Sequence, residues 1–285
     1  MVTLYEKAYA KINLTLDVLG KRADGYHELK SVMQTVSLHD DIEIDVGTME
    51  DWKLICSRED IPCDARNLAW KAAKLYFDEI KKDPQGLTIR MEKRIPSGAG
   101  MGGGSADAAA VLRALNRHCG EILSLEELAR LSAKIGSDIP FCVLGGTRMC
   151  EGRGELMRRL PDCPKCIIVG CKPEFSVSTP ELFRKIDSVQ IMKHPDNDAM
   201  EMAIASGNVQ MVAQQIYNVF DPVVSQMHPE IDHIKGVCNA NGALASQMTG
   251  SGSVVFAVMP DMSSANHAVE ELKQTYSQVF LAEPV

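Results

Sequence analysis

Five glycines fall within seven residues of the stretch Pro96-Ser97-Gly98-Ala99-Gly100-Met101-Gly102-Gly103-Gly104-Ser105. Without a Cβ, glycine enters left-handed backbone conformations freely, so successive N–H groups can turn toward a common point. An alanine-rich stretch beginning near Ser105 reads as a helix. The first N–H groups of a helix lack intrahelical partners and carry the positive end of its dipole. A glycine loop that runs into a helix start is a cradle for phosphate.

Two familiar phosphate loops do not fit. No Lys-Ser/Thr pair follows the glycines, so this is not a Walker A loop. Gly98, Gly100 and Gly103 satisfy GxGxxG, but a dinucleotide fold needs a buried parallel strand before the loop and an acid about 20 residues on. The preceding segment, Leu87 to Pro96, is amphipathic and ends in proline, and residues 118–123 (HCGEIL) do not supply that acid.

Two further residues could act on a phosphoryl group. Asp138 lies in Gly136-Ser-Asp-Ile-Pro140, read as a short loop after a helix. It is either a turn former or a general base that takes the proton of an attacking hydroxyl. Lys11 stands inside an alternating strand pattern, so it either points to solvent or is held to offset phosphate charge.

The elements that must position these groups follow from periodicity. Ile12, Leu14, Leu16 and Val18 alternate as a half-buried strand, and residues 20–25 (GKRADG) read as a turn. Strands are expected over 32–38 and 42–46, with a charged break at His39-Asp-Asp41, and again near 87–91. Helices are expected over 67–82, from Ser105, and from Ser124, where Ser-Leu-Glu-Glu127 is a capping-box pattern. Residues 145–154 are glycine-rich and charged, and 161–164 read as a linker or the edge of the second half. Strands at 167–169, 244–248, 254–259 and 278–282 then mix with helical stretches near 180–187, 197–220, 229–240 and 263–276. Short turns between the early strands imply antiparallel pairing, and the irregular order favours an α+β fold of two lobes over a doubly wound sheet.

The chain has 285 residues, 45% of them hydrophobic and 24% charged, enough for a core in one large or two modest domains. The net charge of −8 argues against a nucleic-acid or membrane-surface binder, because both partners are polyanions. No apolar signal segment opens the sequence and no run of about 18 apolar residues suggests a membrane span, so a cytoplasmic location with reduced thiols is expected. Nine cysteines are present. Cys163-Pro-Lys-Cys166 has CxxC spacing, but no second such pair exists to complete a zinc site, so these are read as unliganded thiols.

The loop 96–109 resembles the ATP loop of the GHMP kinases, with Met101 in the usual leucine position. Ala8-Tyr-Ala-Lys11-Ile-Asn13-Leu14 and Met248-Thr-Gly-Ser-Gly252-Ser253 are similar to that family's first and third motifs, in the same order. Arg22-Ala-Asp-Gly-Tyr26-His27 and Gly136-Ser-Asp138-Ile-Pro-Phe141 narrow the resemblance to the branch that phosphorylates a cytidine diphosphate-linked methylerythritol. That branch belongs to the non-mevalonate route to isopentenyl diphosphate.

The resemblance implies an N-terminal domain (1–160) like part of ribosomal protein S5 and a ferredoxin-like C-terminal domain (161–285). It implies ATP and Mg²⁺ as cofactors, a small-molecule substrate, no nucleic-acid or membrane partner, and a monomer or homodimer. Catalysis falls to Lys11 and Asp138. ATP falls to Pro96–Ser105 with Asn67 and Lys93 on the adenine side, where the bland alternatives are a helix start and a solvated strand residue. Ser105 is placed to touch phosphate or its metal, and Asp107 reads as a first-turn dipole partner rather than a metal ligand. Substrate falls to Asn13, Tyr26, His27, Thr179 and Phe183. Tyr26 and Phe183 would stack on the base and His27 would read its edge, with a packed turn tyrosine as the alternative for Tyr26. Phe175 replaces a glycine usual in that segment. The competing readings are another kinase of the same family, acting on a sugar, mevalonate or homoserine, and a nucleotide-binding regulatory module without turnover.

Overall fold

The computed structural model describes all 285 residues, Met1–Val285, as a mixture of helices and strands. The backbone separates into two compact units, each built from discontinuous stretches: 1–10, 38–97 and 102–145 in the first, and 11–37, 98–101 and 146–285 in the second. The strands Val2–Asn13 and His27–Val46 run through both. No helix is long and apolar enough to cross a membrane.

In the first unit Lys53–Cys56 pairs in parallel with Leu87–Glu92, which pairs antiparallel with residues 41–46. Ile44 faces Ile89 across the antiparallel ladder, and both are fully buried. Helix Leu68–Ile80 packs against helix Gly103–His118. Ala69, Ala72 and Ala73 on one helix and Ala106, Ala109 and Ala110 on the other are buried, and small side chains let the backbones approach closely. The capping box at Ser124 forms as its sequence predicts and starts helix Leu125–Ser132.

In the second unit four strands form an antiparallel sheet in the order Ala245–Met248, Val255–Met259, Ile167–Lys172, Gln278–Ala282. Helices Glu230–Ala240 and Met262–Leu272 pack on it, which is a ferredoxin-like arrangement. A core of Val169, Cys171, Ile231, Ile234, Ala257 and Leu272 fills the space between sheet and helices.

Several expectations are corrected. No break occurs at 39–41, because His27–Val46 is one 20-residue strand. Asp40 points inward at that position and is satisfied by the backbone N–H groups of Arg94 and Ile95 and by Lys93, so its charge does not end the strand. The helical stretch at 197–220 is divided into Asn197–Ala205 and Val209–Gln215, followed by the short strand Tyr217–Asn218. Asn208 recaps the second helix through its side chain, accepting from Gln210 and Met211 N–H after the turn at Gly207. The glycine-rich stretch 145–154, given no element from sequence, enters a hairpin of Thr147–Gly152 with Leu156–Arg159, turning at Gly152 and Gly154 with φ of 72° and 105°. Asp138 does lie in the short loop after helix Leu125–Ser132, where it is the N-cap residue of a further short helix, Ile139–Leu144.

One glycine is fixed by packing alone. Gly170 lies opposite Phe280, and a Cβ there would stand 2.1 Å from the ring. Gly170→Ala is expected to destabilise the protein by about 1–3 kcal/mol through overpacking. The check is the denaturant midpoint at unchanged slope; an unmoved midpoint would show that Phe280 does not hold this position.

Candidate active site

The glycine loop begins where its sequence requires left-handed backbone. Gly98, Gly100 and Gly102 have φ of 60°, 76° and 70°. A Cβ on Gly100 would lie 2.2 Å from the carbonyl oxygen of Thr249, and one on Gly250 would lie 2.8 Å from the carbonyl oxygen of Gly100. The first and last glycine motifs therefore cross at a separation only glycine allows. Ala99 and Met101 are buried and anchor the crossing. The Val254 N–H donates to the Ala99 carbonyl at 3.2 Å, and the Lys11 N–H donates to the Met101 carbonyl at 3.1 Å. Beyond Met101 the chain enters helix Gly103–His118, whose N-cap, Gly102, offers no side chain to its first-turn N–H groups. Those donors are left for an anion, as a phosphate cradle requires. Pro96 is buried ahead of the loop, Ser97 is half-buried, and Ser105 is in the first turn of the helix.

In the second unit Lys11 is 3% exposed, and its Nζ donates to Asn13 Oδ1 at 2.7 Å. Asn13 Nδ2 donates to Ser31 Oγ at 2.8 Å, and the Asn13 N–H donates to Thr249 Oγ1 at 2.9 Å. Lys11 and Asn13 thus form one buried polar row tied to the third motif. Lys11 does not point to solvent, one of its two readings from sequence. Thr179, at the start of helix Thr179–Ile186, shares a 2.8 Å hydrogen bond with Ser251 of that motif.

His27 and Phe183 come together, their rings stacked at 4.6 Å with a 25° interplanar angle, while Phe183 meets Phe220 edge-on at 5.0 Å. His27 Nε2 lies 2.6 Å from Asp187 Oδ1; a carboxylate only accepts, so Nε2 carries the hydrogen. Hydrogen bonds from His27 and Lys21 hold the Asp187 carboxyl below its usual range. Tyr26 stands apart from this pair, 56% exposed, with the Arg153 guanidinium 4.9 Å over its ring. Phe175, where a glycine is usual, stacks on His228 at 3.7 Å.

In the first unit Asn67 is a helix N-cap. Its Oδ1 accepts from the Ala69 N–H at 2.9 Å, and its Nδ2 donates to the Pro62 carbonyl at 2.9 Å. Lys93 is not a solvated strand residue: its side chain is 3% exposed and ion-paired with both Asp40 and Asp107. Asp107 is likewise not a dipole partner in the first turn. It is buried inside helix Gly103–His118 with one oxygen, Oδ1, unpartnered. Gly103 sits over this triad, since a Cβ there would lie 3.8 Å from Lys93 Nζ.

Sequence reasoning missed Asp40 and Asp107 as partners of Lys93, because the three are 53 and 14 residues apart. It also missed Asn218 and Asp221. Asn218 Nδ2 donates to the carbonyls of Met248 and Gly250, each at 2.8 Å, and Asp221 Oδ2 accepts from the Met248 N–H at 2.9 Å. These two shape the third glycine motif. The Asp221-Pro222 pair, a helix-start signal, was the one cue to them.

The triad makes a signed prediction. Burial pushes the Asp107 carboxyl up to about 7, Lys93 pulls it back and Asp40 pushes it further up. Between about pH 4 and 7 the folded protein holds a proton that the unfolded chain releases, so this group's stability contribution is lost as pH rises through about 7. Asp107→Asn should remove that loss, and the variant should gain in melting temperature relative to the wild type as pH is raised across this window. A difference that stays constant with pH would refute the shared proton. Lys93→Met leaves two buried carboxylates without their cation and is expected to cost about 3–5 kcal/mol by denaturant titration.

Comparison with known proteins agrees with this geometry. The GHMP kinases N terminal domain matches residues 67–146, and the GHMP kinases C terminal domain matches residues 200–278. The chain is 43% identical over 275 residues to the 4-diphosphocytidyl-2-C-methyl-D-erythritol kinase of Caldicellulosiruptor saccharolyticus, covering 96% of this chain and 94% of that one. It is 41% identical over 279 residues to the protein of the same name from Clostridium acetobutylicum, covering 98% and 99%. A crystal structure of 4-(cytidine 5'-diphospho)-2C-methyl-D-erythritol kinase superposes with a TM-score of 0.82 at 30% identity, covering 98% of both chains. A homoserine kinase of Cytophaga hutchinsonii, 15% identical with a TM-score of 0.76, shares the fold. The two family matches and these nearly full-length relatives show that the chain belongs to the GHMP kinases.

Proposed function

We propose that this protein transfers the γ-phosphoryl group of ATP to the 2-hydroxyl of 4-diphosphocytidyl-2-C-methyl-D-erythritol, a step toward isopentenyl diphosphate. The observation that carries this reading is the 43% identity over 275 residues, nearly the whole of both chains, to a kinase named for that substrate. The matched segments fall one on each side of residue 160, which supports domains at 1–160 and 161–285.

The first-turn N–H groups after Gly102 suit the phosphates of ATP, and Asn67 and Lys93 are assigned to its adenine side. No three His, Cys, Asp or Glu side chains gather to hold a metal. Ser105 is the residue assigned to phosphate or its metal, and Mg²⁺, when bound with ATP, would supply neutralisation of the phosphate charge. Asp138 accepts the proton of the attacking hydroxyl, and the Lys11 ammonium, held by Asn13, offsets developing negative charge. Tyr26, His27 and Phe183 are assigned to the cytosine, and Asn13 and Thr179 to the rest of the substrate. His27, with Nε2–H engaged by Asp187, presents Nδ1 to a base edge.

Purified protein is incubated with Mg-ATP and the cytidyl substrate, with mevalonate, galactose and homoserine alongside, and product is followed by phosphorus NMR. A new phosphomonoester on the cytidyl substrate alone is expected, with kcat lowered about 10²–10⁴-fold in Asp138→Asn. Turnover on another alcohol would discard the cytosine assignment and keep the kinase. Tyr26→Ala is expected to raise KM for the cytidyl substrate about 5–100-fold at near-constant kcat, the loss of one base stack. An unchanged KM would remove Tyr26 from the site.

A further inference from the structure

We propose that Cys163 and Cys166 form a redox-active dithiol, oxidised reversibly to an intramolecular disulfide by exchange with a small disulfide such as oxidised glutathione. The pair lies in the connector between strands Leu156–Arg159 and Ile167–Lys172. That connector is held in place, because the Cys163 N–H donates to Thr147 Oγ1 at 3.0 Å and Thr147 Oγ1 donates to Gln34 Oε1 at 2.6 Å. Both cysteines line one small apolar cavity with Ile12, Leu14, Ile168 and Val258. The two side chains open onto the same cavity, three residues apart in the chain. Two thiols that share one small cavity across a three-residue step are placed to meet, and a disulfide between them requires Cβ atoms about 3.5–4.5 Å apart. Both cysteines are half-buried rather than enclosed, so a small oxidant has access.

The two thiols differ in the way exchange requires. The hydrogen bond from Cys163 holds the Cys166 thiol below its usual range against the effect of burial, while the same bond and then burial push Cys163 up. Cys166 is therefore the attacking thiolate. By contrast, burial pushes Cys171 to about 12 and Cys238 to about 11, where they are inert. In the first step Cys166 sulfur, its proton lost to solvent, attacks one sulfur of the oxidant. The S–S bond breaks, one thiolate leaves and takes up a proton, and a mixed disulfide remains. In the second, Cys163 sulfur attacks Cys166 sulfur, loses its proton and expels the second thiol. Two cysteine thiols are oxidised and one small disulfide is reduced to two thiols.

The full-length protein is equilibrated with oxidised glutathione, quenched with an alkylating reagent, digested and read by mass spectrometry. The readout does not involve phosphoryl transfer. The peptide spanning 163–166 should appear two hydrogens lighter and unalkylated, and should return to the dithiol with excess reduced glutathione. Cys163→Ser should stop at a stable glutathione adduct on Cys166. Cys166→Ser should form an adduct on Cys163 at least tenfold more slowly. The proposal is overturned if both cysteines remain alkylated in the wild type, or if the two serine variants react at the rate of the exposed Cys63.

Discussion

Gly100 passes the backbone of Thr249 so closely that no Cβ fits between them. That crossing sets the positions of much else in the second unit. It brings Met101 under the N–H of Lys11 and Ala99 under the N–H of Val254, so residues 98–101, the strand that carries Lys11 and the third motif are tied together by backbone hydrogen bonds. Thr249 extends the link through its hydroxyl to the N–H of Asn13. The buried side chains of Asn218 and Asp221 fix the Met248–Gly250 backbone with three hydrogen bonds. Buried polar groups satisfied in this way rigidify their surroundings, which suits a reaction whose catalysis is mostly positioning and electrostatics.

The first unit solves a related problem with charge. Helix Gly103–His118 must present its first turn at the end of a flexible loop. Its flank is fixed by alanine packing against helix Leu68–Ile80, and its start by Asp107, which shares Lys93 with Asp40. Burial, reinforced by the second carboxylate of Asp40 on the same ammonium, explains why Asp107 holds a proton so far above its usual range. The arrangement couples the strand, the loop entry and the helix through one cluster.

The substrate-reading residues are arranged less as a preformed clamp than their sequence suggests. His27 and Phe183 are stacked on one another, with His27 tied to Asp187, while Tyr26 lies outside under Arg153. Phe175, unusual at its position, finds its own partner in His228 and leaves helix Thr179–Ile186 formed with Thr179 against the third motif.

The sequence by itself determined those features that depend on neighbours along the chain. Glycine spacing at 98–104 marked the left-handed turns and the helix start, Ser124 to Glu127 marked a cap, and alternation marked the strands of both units. The α+β class could be read from the order of these signals, and the family from the resemblance carried by the motifs at 8–14, 96–109 and 248–253. The tertiary structure alone decided what depends on residues far apart in sequence. Asp40 looked like a strand break because an unpaired charge would be one, yet Lys93, 53 residues on, neutralises it inside the sheet. Lys93 looked solvated for the same reason. Asn218 sat in an apparently helical run, and its role became visible only once Met248 and Gly250 were folded onto it. A polar side chain's place is set by the partner that desolvates with it, and that partner is not encoded in local spacing.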